Sequence, residues 1–172
     1  MSSDLKTTAA SWLDALQCEY RSVDDPVMDW RIEVKYPARR TDHLMHVAGV
    51  PGPVASLIIV SVTRMSERHI QRFQSMPDDE KRVFLFGLRH TLNNSEVDFE
   101  LRGAGGLVCP EAFQVSVRRF VDGLTLDAFA RSLGAVYKTE LSAIWFIQET
   151  LDADHSSPPV FFDFAGTDIP EA

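Results

Sequence analysis

The sequence predicts a two-layer α+β fold, ordered α-βββ-α(α)-ββ-α, with helices packed on one face of a twisted antiparallel sheet. Three observations carry this. In residues 28–36, MDWRIEVKY, the apolar Met28, Trp30, Ile32, Val34 and Tyr36 alternate with Asp29, Arg31, Glu33 and Lys35. Successive strand side chains point to opposite faces, so this is a strand with one buried face and one wet, charged face. The pattern returns in residues 96–102 and, less cleanly, in 113–121, and one-sided burial belongs to antiparallel sheets covered on one side. Apolar stripes at helical spacing at both ends of residues 1–151 supply the covering layer.

Residues 4–19 place Leu5, Ala9, Trp12, Leu13 and Leu16 on one helical face, with Ser3 or Asp4 as the cap. Residues 21–27 are polar and contain a proline, which reads as a loop before the first strand at 28–36. Residues 37–42 turn the chain, 43–50 form a second strand, and Pro51-Gly52-Pro53 ends it. Residues 55–63 are apolar on both faces, as a central strand requires. Ser66 caps a short helix to Met76, and Pro77 opens the next at a tolerated position. Asp78, Asp79 and Glu80 follow in its first turn, where acids complement the helix dipole. Phe84, Leu85, Leu88 and Leu92 are its buried stripe. Strands at 96–102 and 112–121 flank a glycine-rich hairpin connection, and Thr125 caps a long last helix to Leu151.

The 172 residues form one predicted domain, 1–151, followed by an acidic tail, 152–172, with an apolar docking segment at 160–164. The tail holds Asp152, Asp154, Asp163, Asp168 and Glu171 and no lysine or arginine, so it carries five of the eight net negative charges. That balance argues against a nucleic-acid partner, which draws on clustered Lys and Arg. The nearest basic patch, Arg39–Arg40, reads as a solvated turn. Mean hydropathy is −0.09. No run is long enough for a membrane span and the amino-terminal residues lack a signal-peptide pattern, so the expected location is cytoplasmic, without membrane attachment. Cys18 and Cys109 fit no CxxC or zinc spacing and read as two reduced thiols.

The last helix holds the candidate binding residues. Its stripe runs through Leu126, Phe129, Ala130, Leu133, Val136, Tyr137, Leu141, Ile144, Ile147 and Leu151. The opposite side carries Ala128, Ala135, Ser142 and Phe146, with Trp145 at the edge. A helix apolar on one side and small or aromatic on the other suits a place between two layers, the second being segment 160–164 or another copy of the chain. Glu140 falls inside the stripe, where a carboxylate needs a partner, and Arg119 falls on the apolar face of its strand. The two are candidates to pair, as a structural ion pair or as a tuned acid in a pocket. Arg119, Tyr137, Glu140, Trp145 and Phe146 are therefore the candidate binding residues.

No catalytic residue, metal ligand set or cofactor motif stands out. His43 and His46, three apart, fall on opposite strand faces. Residues 102–106, RGAGG, lack the GK[ST] ending and helix start of a phosphate loop. No serine lies in a GxSxG elbow, and Cys109 has no neighbouring histidine in sequence.

The element order over roughly residues 4–150 resembles the type III secretion chaperone-like fold shared with YbjN-like proteins. VDFEL at 97–101 and LTLDAFARSLGAVYKTELSAIW at 124–145 resemble a small prokaryotic family of unknown function. The first resemblance implies a small acidic homodimer with helices on one sheet face; neither implies a catalytic residue. The functional expectation is a non-catalytic, homodimeric, protein-binding or chaperone-like module that takes a polypeptide partner. The alternative is a small-ligand sensor or enzyme with a pocket between the last helix and the sheet.

Overall fold

The computed structural model describes residues 2–38, 43–93, 96–103 and 109–152. The Arg39–Arg40 turn, glycines 105 and 106 and the tail beyond Asp152, segment 160–164 included, lie outside them. Among the described residues the fold is α+β, with four α-helices and a six-stranded antiparallel sheet. The elements are α1 (Ser2–Ala15), β1 (Glu19–Val23), β2 (Trp30–Lys35), β3 (Leu44–Val50), β4 (Ser56–Arg64), α2 (Glu67–Ser75), α3 (Asp78–Leu92), β5 (Asp98–Arg102), β6 (Ala112–Phe120) and α4 (Leu126–Leu151). The sheet order is β1-β2-β3-β4-β6-β5.

One strand more is present than the sequence suggests. β1 replaces the end of the first expected helix and the start of the expected loop. The cause is at the end of α1, where Cys18 N–H donates to Leu13 O at 3.0 Å and Gln17 N–H to Asp14 O at 3.0 Å. This is a Schellman closure, and it puts Gln17 at φ 57° in the left-handed region that glycine usually occupies. Without a glycine to mark the stop, the helical pattern in the sequence runs on past Ala15. β1 itself is polar and pairs with β2 through Arg21 opposite Glu33 and Glu19 opposite Lys35.

The chain divides into two compact units. Of the described residues, the first comprises those up to Ser61 with Ser116–Tyr137, and the second those of Val62–Val115 with 138–152. In the first unit, Trp30, Ile32 and Val34 of β2 are buried beside Gly49, Val47 and Met45 of β3, their cross-strand partners. α1 buries Leu5, Ala9 and Leu13, and its Trp12 ring lies 5.4 Å from Phe129 of α4. Gly49 is required where it stands, since a Cβ there would lie 2.3 Å from Trp30 Nε1. Ala55 accepts from Val121 N–H at 3.2 Å, which sets the start of β4 beside the end of β6.

In the second unit, Ser66 caps α2 by accepting from His69 N–H at 3.2 Å. Phe73, Phe84, Leu88, Leu92, Phe113 and Ile147 form the core. Phe84 lies 5.3 Å from the Phe73 ring and 5.5 Å from the Phe146 ring. Glu111 N–H donates to Arg102 O at 2.7 Å, closing the β5–β6 hairpin, and a Cβ on Gly103 would lie 2.5 Å from Cys109 O. Both cysteines are free.

Candidate functional site

The five candidate residues divide between the units. In the first, Arg119 Nε donates to Ser132 Oγ at 2.9 Å, on the next helix. Tyr137 packs edge-on to Tyr36 and His43, with ring centroids 5.8 and 5.0 Å away. In the second, Glu140 is fully buried, as its place in the stripe requires, and accepts a hydrogen bond from Thr63 Oγ1. Phe146 packs on Phe84, and Gly87 of α3 comes so close that a Cβ would lie 2.5 Å from the Phe146 ring. At that point the layer over this side of α4 is α3. Trp145 is 55% exposed.

The charged face of β2 corrects a further expectation. Arg31 lies on the face that alternation marks as wet, yet it is only 8% exposed. The loop before β2 supplies the cover. Asp25 Oδ1 accepts from the N–H groups of Val27 and Met28 at 2.9 and 3.0 Å, and Arg31 Nη1 lies 3.2 Å from Asp25 Oδ2. On β3, buried His46 meets the same guanidinium, with Arg31 Nε 3.3 Å from Nδ1 and Nη2 3.0 Å from Nε2. Glu33, beside His46 in the register, is bridged by Arg21 at 2.7 Å.

The electrostatics follow from this enclosure. Burial first, and then the Arg31 charge, push the His46 imidazole down to about 4. Burial of Asp25 resists ionisation, but the Met28 and Val27 amides and the Arg31 guanidinium outweigh it and hold the carboxyl below the usual range. The Arg21 hydrogen bond, against partial burial, holds Glu33 below its ordinary value. His43 lies against Tyr137, away from this cluster. Sequence reading treated His46 only as a metal candidate. The signal it lacked was Asp25, whose role depends on the path of the 24–29 loop.

The first unit also contains a concave apolar site that sequence reasoning missed. A cavity of about 290 Å³ is lined by Asp4, Leu5, Thr8 and Trp12 of α1, Ala55, and Val121 and Leu124 before α4. Val54, Val121 and Leu126, exposed by 56%, 44% and 41%, extend the apolar surface. Asp122 and Asp127, in the segment that includes Val121 and Leu124, are exposed. At the low edge of small-molecule pocket volumes, such a cavity suits one or two side chains of a larger partner.

Residues 5–147 match the family model described as an uncharacterized conserved protein, DUF2299. The chain belongs to this family. A crystal structure of an uncharacterized protein from Methanothermobacter thermautotrophicus is similar, with a TM-score of 0.74 and 25% identity over 88% of this chain and 99% of that one. No curated protein matches the chain. Among the described residues of this DUF2299 member, no three His, Cys, Asp or Glu side chains are grouped to hold a metal ion. No described helix is long and apolar enough to cross a membrane.

Proposed function

We propose that the protein is a non-catalytic polypeptide-binding module of the chaperone-like kind, in keeping with the fold resemblance drawn from its sequence. The observation that supports this reading is the apolar cavity of the first unit with its exposed apolar surround. Exposed apolar surface around a concave site favours a protein partner, because leaving it in water forgoes burial worth about 25 cal/mol per Å². Asp4 in the lining and exposed Asp122 nearby give the site negative charge, Asp127 being bridged by Arg131 at 2.6 Å. The partner is an extended segment presenting an aliphatic or aromatic side chain with Lys or Arg beside it.

A peptide array tests this directly. Immobilised peptides with one large apolar residue between lysines should retain the protein, and peptides with aspartates in those places should not. Val121→Glu, an exposed position, should abolish retention while shifting stability by no more than about 0.5 kcal/mol. Retention indifferent to peptide chemistry, or unchanged in Val121→Glu, overturns the proposal.

A further inference from the structure

The second unit has an aromatic surface of its own. Val83 and Phe86 of α3 are each 73% exposed, and Trp145 of α4 is 55% exposed. Phe86 and Trp145 directly precede Gly87 and Phe146, the residues at which α3 and α4 meet. Arg82, Arg89 and His90 are exposed on the same helix as Phe86, and the His90 ring stacks on Phe86 at 6.2 Å. From Lys81 to Leu92, α3 has no acidic residue. The surface is thus apolar, with Arg82, Arg89 and His90 along its α3 side and the exposed carboxylates of Asp79, Glu80 and Glu149 one turn from Val83 and Trp145.

From this surface and the sequence that follows α4 we infer that its occupant is the chain's own segment Val160-Phe161-Phe162-Asp163-Phe164. Three observations support the pairing. The segment combines three phenylalanines, which match the exposed Val83, Phe86 and Trp145, with one carboxylate, Asp163, which complements the Arg82, Arg89 and His90 side of α3. The start of the tail is held in place: Asp152 Oδ1 lies 3.1 Å from His69 Nε2 and 3.6 Å from Arg68 Nη2, both on α2. The tether also reaches. Trp145 lies about 9 Å back along the helix from Leu151 at 1.5 Å per residue, while nine residues of chain from Leu151 to Val160 span up to about 30 Å. A short tether keeps the segment at millimolar effective concentration, so a weak contact suffices.

The rival occupant is a second copy, the symmetric dimer expected from the sequence. Full-length chain carrying 5-fluorotryptophan separates the two, with the Trp145 resonance assigned through Trp145→Phe. In the triple variant Phe161→Ser, Phe162→Ser, Phe164→Ser, the Trp145 resonance should shift while Trp12 and Trp30 hold their positions, equally at low and high protein concentration. A Trp145 resonance that the triple variant leaves unmoved overturns the inference. So does one that moves only with protein concentration, alongside a changed sedimentation coefficient. An independent check pairs Phe86→Cys with Phe162→Cys in a Cys18→Ser, Cys109→Ser chain. An intramolecular disulfide on mild oxidation supports the docked tail, and intermolecular disulfides or none overturn it.

Discussion

The two faces of β2 are both largely shielded from water, by opposite means. On one, Trp30, Ile32 and Val34 are buried against apolar neighbours, and Gly49 gives up its side chain to admit the Trp30 indole. On the other, Arg31 is buried with Asp25 and His46, and Glu33 is bridged by Arg21. The first face needs only volume and the absence of polar groups. The second needs each charge met by a partner at hydrogen-bond distance, because a buried charge without one costs several kcal/mol. Alternation therefore reports which residues share a face, but not whether a charged face is wet.

The largest effect that would test this contrast is on the apolar face. Trp30→Ala should cost about 3–5 kcal/mol, as truncation of large core aromatics does, measured by urea denaturation. Arg31→Leu should follow at about 3 kcal/mol, since it strands the Asp25 carboxylate, whose side chain is only 5% exposed. An Arg31→Leu protein as stable as the parent would mean that the charged face is wet after all, as the sequence pattern implied.

His46 offers a sharper test because its contribution depends on pH. Its folded-state value of about 4 lies below the ordinary 6.5, so between those values the unfolded chain binds the proton and the folded chain resists it. Stability is then full above pH 6.5 and falls as pH drops toward 4, by up to about 3 kcal/mol in total. His46→Gln should flatten the stability profile in that window. Asp25 and Glu33, both held low, contribute acid sensitivity of their own only below about pH 4.5, so the two effects separate along the pH axis. An unchanged slope between pH 6.5 and 4 in His46→Gln would mean the imidazole is not enclosed.

Several features were legible in sequence because their causes are local. The strand at Trp30–Lys35 follows from two-residue alternation, Ser56–Arg64 from a run apolar on both faces, and the break between β3 and β4 from Pro51–Pro53. The caps at Ser66 and Thr125 follow from hydroxyls that accept from the N–H groups of His69 and Ala128. Glu140 was recognisable as buried from helical spacing alone, but its partner, Thr63, lies 77 positions away on β4, and no periodicity reports that. β1 was hidden because Gln17 stands where glycine would mark the helix end. The groove around Val121 combines α1 with residues more than a hundred positions later, and each residue alone looks like an ordinary loop or helix-start position.

Glu33 is the smallest and most discriminating case, because it faces the buried cluster while its partner stands in water. Arg21 is 72% exposed against 13% for the Glu33 side chain, so solvent and salt screen the pair even though its geometry is bidentate, at 2.7 and 3.0 Å. Exposed partners of this kind contribute little, and Glu33→Ala should cost no more than about 1 kcal/mol. The residue also faces His46, where its negative charge favours the imidazolium. Removing it should therefore lower the His46 titration further and steepen the loss of stability between pH 6.5 and 4. NMR titration of the His46 ring in Glu33→Ala reads this separately from the melt. A small stability change at pH 7 with a displaced His46 titration would place Glu33 electrically inside the cluster while its bridge to Arg21 stays at the surface. A large loss at pH 7 would instead make Arg21–Glu33 part of the buried network and extend the dry charged face to the edge strand.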